Sequence, residues 1–264
     1  MGRQGQAHQL THPAVLHALV WGEKGSGRAV LVHGSVSGAE ATWSRQRPLG
    51  ARFRVVAPDR RGYGLSPAVA REDFDVDAND VEALLGGGAH LAGHSYGGVV
   101  ALLAAARRPE AVRSLCLLEP PAYAVARGHP AVERLRAEQA ALFAAGPDMS
   151  DEDFLAGFIA SVGGDPGRVP RPLTPLLAQH TGLLRRFRPP WEAEPDLPAL
   201  AGAGFPVLVV SGGHHPGFEA VCDALAEGLR GARETIAGAQ HNIPRMDGAL
   251  NRRLDALWAG ARTT

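Results

Sequence analysis

Gly93-His94-Ser95-Tyr96-Gly97-Gly98 follows a short apolar run, Ala89 to Ala92, and opens a longer one rich in Ala, Leu and Val, Val99 to Ala106. That order reads as strand, sharp turn, helix, with a serine at the apex of the turn. In this setting Gly-x-Ser-x-Gly marks a nucleophile elbow, and the glycines have a steric reason to be there. The serine backbone is held in a strained conformation, and the chain on either side comes too close to tolerate a Cβ. Such a bend lifts the hydroxyl clear of the sheet. It also points the first N–H groups of the helix toward the reacting oxygen.

Working outward from the elbow, strands and helices alternate. Val15 to Trp21 and Ala29 to His33 read as strands separated by the turn Glu23 to Gly27, and Phe53 to Ala57 as a third. Asp73 to Leu85 carries its apolar residues at helical spacing and stops at Gly86-Gly87-Gly88. Ser114 to Leu118, Pro206 to Ser211 and Glu234 to Ile236 are further strand-like runs, and Leu250 to Trp258 reads as a final helix. This interleaving predicts a mostly parallel sheet covered on both faces. Residues 121–204 break the rhythm. Ala131 to Ala145, Ser150 to Val162 and Leu176 to Phe187 look helical, and no strand pattern appears among them. Some eighty residues is too long for one crossover, so the block reads as a helical insertion forming a lid over the strand ends.

Composition narrows the function classes. Lys+Arg and Asp+Glu balance at 27 each, so no basic stripe points to nucleic acid. Residues 1–11 are polar and lack the apolar core of a signal peptide, and no window is long enough to span a membrane, which predicts a soluble cytoplasmic protein, monomeric or homodimeric. Cys116 and Cys222 have no metal or redox spacing and read as buried small hydrophobes. Neither a metal nor a cofactor is expected.

A serine hydroxyl needs a base to take its proton and a third group to hold that base. Of eleven histidines, His241 sits in the loop Gly238-Ala239-Gln240-His241-Asn242, after the last strand and before the final helix, where it can reach the strand ends. His94, beside Ser95, reads as a packing residue. Val30-Leu31-Val32-His33-Gly34-Ser35 is a strand ending in a glycine turn, so the backbone N–H groups of Ser35 and Tyr96 are the candidate oxyanion donors. Trp43, Phe143, Phe158 and Trp191 are candidate walls of an apolar substrate pocket, which suits a small molecule with an apolar acyl or aromatic part. Arg185, Arg186 and Arg188 read either as contacts to an anionic substrate or as a solvated basic face.

His33-Gly34, then Asp59-Arg60-Arg61-Gly62-Tyr63-Gly64-Leu65-Ser66, then the elbow, then Gly238-Ala239-Gln240-His241 resembles the α/β-hydrolase superfamily. It looks like the lidded branch that holds esterases, thioesterases and carbon–carbon bond hydrolases. The resemblance implies the α/β-hydrolase fold: an eight-stranded, mostly parallel sheet flanked by helices, with the lid inserted after the sixth strand. The core would then be 1–120 with 205–264, and the lid 121–204. It gives Asp59 to Ser66 a structural role only. The family's usual acid, an Asp after the seventh strand, is missing: Ser211-Gly212-Gly213-His214-His215 puts His215 there, with Glu219 the next carboxylate. Glu119 ends the strand taken as the sixth, where certain haloalkane dehalogenases carry their acid. Glu119 and, as the alternative, Glu219 are both candidates to orient His241. A serine nucleophile disfavours dehalogenase and epoxide hydrolase chemistry. The expected activity is cofactor-independent cleavage of a small carboxylic ester or thioester through an acyl-enzyme. Carbon–carbon bond hydrolysis, or a non-hydrolytic lyase, cyclase or ligand-binding role, is the alternative.

Overall fold

Along Gly27–Val32, Ala29 and Leu31 pack into one hydrophobic cluster and Val30 and Val32 into another, all without solvent exposure. Successive side chains buried on opposite faces place this run in the interior of a sheet covered on both sides. The computed structural model describes residues 13–23, 27–246 and 248–261. The strands among them are β1 (Ala18–Trp21), β2 (Gly27–Val32), β3 (Phe53–Pro58), β4 (Ala89–His94), β5 (Val112–Leu118), β6 (Val207–Ser211) and β7 (Ala232–Thr235). Their order is β1-β3-β2-β4-β5-β6-β7, and every pair is parallel except β1 with β3.

Helices α1 (Ala39–Trp43), α2 (Phe74–Leu85) and α3 (Tyr96–Arg107) follow β2, β3 and β4 in turn. Four helices lie between β5 and β6: α4 (Pro130–Ala145), α5 (Asp151–Ser161), α6 (Pro175–Arg185) and α7 (Leu197–Gly202). Then come α8 (Pro216–Gly228) after β6 and α9 (Ala249–Gly260) after β7. The predicted starts carry their caps. Asp73 accepts from the Asp75 N–H at 3.0 Å, and Ser150 Oγ accepts from the Asp153 N–H at 3.1 Å.

From β2 the chain steps outward to β3, then returns to place β4 on the other side of β2. Ligands of open α/β sheets bind at such a reversal, beyond the carboxyl ends of the strands. Here it brings together the loops after β2 and β4, which carry Ser35 and Ser95.

The resemblance implies eight strands; among the described residues there are seven, the number the apolar runs themselves mark. The first is also shorter than Val15 to Trp21. Val15 is 95% exposed, and the N–H groups of Ala14 and His17 donate to the side chains of Asp80 and Ser66 rather than to a strand. Residues 121–204 carry no strand, as their pattern predicts, and the strand read from Pro206 begins at Val207. The polar residues 1–11 and positions 24–26 of the expected turn lie outside the described residues. Both cysteines are buried and free. Among the described residues no helix is long and apolar enough to cross a membrane.

Candidate active site

Ser95 has φ 54° and ψ −127°, a region that L-residues rarely occupy, between the end of β4 and the start of α3. The strain is held from three sides. Its N–H donates to the Leu118 carbonyl at 2.9 Å, its carbonyl accepts from the Gly98 N–H at 2.7 Å, and the flanking glycines let the backbones touch. A Cβ on Gly93 would overlap the Gly97 carbonyl, and one on Gly97 would overlap the carbonyl oxygens of Val32 and His33. Both obstacles are backbone in the sheet, with no flexible end to yield. Gly97→Ala is therefore expected to cost about 3 kcal/mol or more in stability. A urea denaturation midpoint equal to wild type would contradict this.

The serine hydroxyl, the imidazole and one carboxylate are in line. Ser95 Oγ lies 2.9 Å from His241 Nε2, and His241 Nδ1 lies 2.7 Å from Glu119 Oε2. Glu119 has no exposed surface. Its other oxygen accepts the Gly212 N–H at 2.6 Å, and its backbone N–H donates to the Val210 carbonyl at 3.1 Å. The ends of adjacent β5 and β6 thus fix one carboxylate against one ring. Burial alone would raise the pKa of Glu119; the contacts from His214, His241 and Gly212 outweigh it and bring it down to about 2. An ionised Glu119 requires the proton of His241 on Nδ1, which leaves the Nε2 lone pair facing Ser95.

The alternative acid lies elsewhere. Glu219 accepts from Ser211 Oγ at 2.8 Å and from the Gly213 N–H at 3.1 Å, and pairs with Arg233. These bonds brace the start of the loop after β6 and leave His241 to Glu119. His215 caps α8 by accepting the Gly217 N–H at 3.1 Å.

Two histidines have roles that the sequence did not announce. His94 does more than pack: its Nε2 donates to the His241 carbonyl at 2.7 Å and tethers the loop that carries the imidazole. Burial lowers its pKa to about 3, so it is neutral. His214 Nε2 reaches the Val162 carbonyl at 3.0 Å, and its Nδ1 lies 3.4 Å from Glu119 Oε1, long for a full hydrogen bond. Burial opposes its protonation, yet the Glu119 carboxylate outweighs that and raises its pKa. Among the described residues Glu119, His214 and His241 are the one group whose donor atoms come within 4.8 Å of one another, a spacing that a metal ion can use. Glu119 and His241 are already engaged with each other, and His241 with Ser95.

The glycine turn after β2 is aimed from behind. Arg60, fully buried, donates from Nε to the His33 carbonyl and from Nη2 to the Gly34 carbonyl, both at 3.0 Å. His33 Nδ1 adds a 2.7 Å bond to the same Gly34 oxygen. In a trans peptide the C=O and N–H point in opposite directions, so pinning the Gly34 oxygen turns the Ser35 N–H the other way. Glu72 and Asp77 hold the guanidinium at 2.7 and 2.6 Å, and the rings of Tyr63 and Tyr96 lie 4.9 and 4.6 Å from it. The Tyr96 N–H, first of its helix, has no intrahelical acceptor.

Two cavities meet at Ser95, one of about 320 Å³ and one of about 20 Å³. Phe158 lines both and Trp191 the smaller. Phe143 sits one layer back, stacked on Phe187 with ring centroids 4.5 Å apart. Trp43 is a correction. It is wholly buried in the cluster that α9 covers, together with Phe53 and Trp258, and lines neither cavity, because α1 turns that face toward the sheet. The three arginines are not substrate contacts either. Arg185 holds Asp151 and the carbonyls of Met149 and Ser150, Arg186 the Ala70 carbonyl, and Arg188 Asp73 and Asp75.

With this geometry in place, comparison with known proteins decides the family. The model of the Alpha/beta hydrolase family matches residues 29–251. The chain belongs to the alpha/beta hydrolase family. Lipase LipV of Mycobacterium tuberculosis (strain ATCC 25618 / H37Rv) is 36% identical to this chain over 109 residues, 40% of this chain and 41% of that protein. The 2-hydroxymuconate semialdehyde hydrolase of Pseudomonas sp. (strain CF600) is 40% identical over 103 residues, 34% of this chain and 35% of that one. The chain thus spans under half the length of these curated relatives. The crystal structure of an alpha/beta hydrolase from Sphaerobacter thermophilus DSM 20745 superposes with a TM-score of 0.67 at 24% identity, covering 93% of this chain and 98% of that one, which shows the shared fold.

Proposed function

We propose that this hydrolase cleaves small carboxylic esters or thioesters through an acyl-enzyme on Ser95. The observation that carries the reading is the unbroken line from Ser95 Oγ through His241 to Glu119, at 2.9 and 2.7 Å. As Ser95 attacks the acyl carbonyl, His241 takes its proton and then delivers it to the leaving oxygen or sulfur. Glu119 orients the ring and offsets its transient charge. The amides of Ser35 and Tyr96 receive the oxyanion, with the Gly34 peptide held ready by Arg60 and His33. Water, activated by the same imidazole, then releases the acid. Residues 121–204 act as the lid on a core of 1–120 and 205–264, since Leu155, Phe158, Ile159 and Val162 of this segment wall the larger cavity.

Active-site labelling tests the assignment directly. A fluorophosphonate is expected to add once, on Ser95, as read by peptide mass spectrometry. A folded protein that stays unlabelled, or labels at another serine, would overturn it.

A further inference from the structure

Ser95 stands where the two cavities meet, and they differ in volume by more than tenfold: about 320 Å³ on one side and about 20 Å³ on the other. The tetrahedral intermediate has four substituents on carbon, and three of them have fixed directions. One is Ser95 Oγ, and one is the oxyanion, held by the Ser35 and Tyr96 amides. The third is the leaving oxygen, which must come within hydrogen-bonding reach of His241 Nε2 to be protonated. His241 lines the larger cavity together with Asn242 and Arg245 and does not line the smaller, whereas Tyr96 lines only the smaller. The leaving group therefore departs into the large cleft, and the remaining substituent, the acyl chain, falls into the small chamber.

We propose that the small chamber is the acyl site and that the substrates are short-acyl esters, acetyl in particular, of a bulky alcohol. This rests on the serine hydrolase reading above. A space of about 20 Å³ holds roughly one water-sized group, the size of an acetyl methyl. Its walls are stiff. Trp191 stacks on Tyr123 with an interplanar angle of 2°, Phe187 stacks between Phe143 and Tyr96, and Pro121 and Pro190 add rigid rings to a wall that Gln139, Val162 and Phe218 share. Leu155, Ile159 and Leu177 are among the apolar side chains that line the large cleft, and its volume suits an extended alcohol part. In the balanced reaction the Ser95 Oγ–carbon bond forms and the carbon–oxygen bond to the alcohol breaks, with the serine proton passing through His241 to that oxygen. Water then cleaves the acetyl-serine, giving acetate and free enzyme.

Octyl acetate and methyl nonanoate are isomers of equal size, with the long chain on opposite sides of the carbonyl. Octyl acetate is expected to have the higher kcat/KM by about 100-fold, because each surplus methylene must be forced into a filled pocket. Trp191→Ala, and the milder Phe187→Leu, are expected to narrow that ratio by raising turnover of the nonanoate. Equal rates, a preference for methyl nonanoate, or cleavage of neither isomer by protein whose Ser95 labels would overturn this sorting while leaving the nucleophile in place. Failure of Ser95 to label would instead remove the reading on which it stands.

Discussion

Ser95→Ala is expected to lower kcat for ester hydrolysis by about a million-fold, the scale seen when a triad nucleophile is removed. The deletion is a clean one. Ser95 Oγ has one hydrogen-bond partner, His241 Nε2, so removing it leaves the elbow, its glycines and the Glu119–His241 bond intact. The backbone conformation at φ 54° is no harder for alanine than for serine. Substrate binding should therefore survive with little change in affinity, separating chemistry from binding. Turnover within tenfold of wild type, in protein of normal stability, would show that another group does the chemistry.

The second large effect concerns the acid. Glu119→Gln is expected to cost about 10⁴ in kcat. The amide cannot replace the carboxylate, because Gly212 donates to one oxygen and His241 to the other. Whichever way the amide is turned, its NH2 meets a donor, either the Gly212 N–H or the imidazole proton. The ring must then rotate or take the wrong tautomer. Glu219→Gln must turn its NH2 toward either the Gly213 N–H or Arg233 and so loses one of those contacts, but it touches neither Glu119 nor His241, and it should change kcat by only a few-fold while costing about 1 kcal/mol of stability. Equal losses from the two variants would refute the assignment of Glu119.

Glu119 also gives the stability of the fold a dependence on acid. The folded-state pKa of Glu119, about 2, lies below the 4.5 ordinary for a glutamate in an unfolded chain. Its contribution to stability is complete above that unfolded value and disappears as pH falls through about 2. Urea midpoints of wild type should drop across this window more steeply than those of Glu119→Gln. Parallel curves would show that the carboxylate gains nothing from its surroundings.

Much of this site was legible because glycine is a steric signal. Gly93, Gly97 and Gly98 stand where backbones nearly touch, and Gly34 where a Cβ would lie 2.9 Å from that of Ser95. The strands were legible because β2 alternates between two buried faces. What escaped was decided by partners far along the chain. The strand-end position of Glu119 favours it over Glu219 in sequence, but only the pairing of β5 with β6, and the Gly212 N–H it delivers, shows which carboxylate meets His241. His214 meets Glu119 across 95 positions, and no local pattern marks it. Trp43 was misplaced because its helix has five residues, too few for periodicity to say which face turns inward. The short α7 left no readable period for the same reason.

Arg60 carries one more consequence. A guanidinium and two carboxylates deep in the protein are expensive to desolvate, and hydrocarbon of the same shape would often be the more stable filling, by about 1–4 kcal/mol. What the ionic cluster secures is the orientation of a single peptide plane, which under the proposed reaction need not reorient when negative charge appears on the substrate oxygen. Reorganisation energy is thereby moved out of the reaction and into folding. If the proposed reaction holds, thermal tolerance and turnover are set against each other at one side chain.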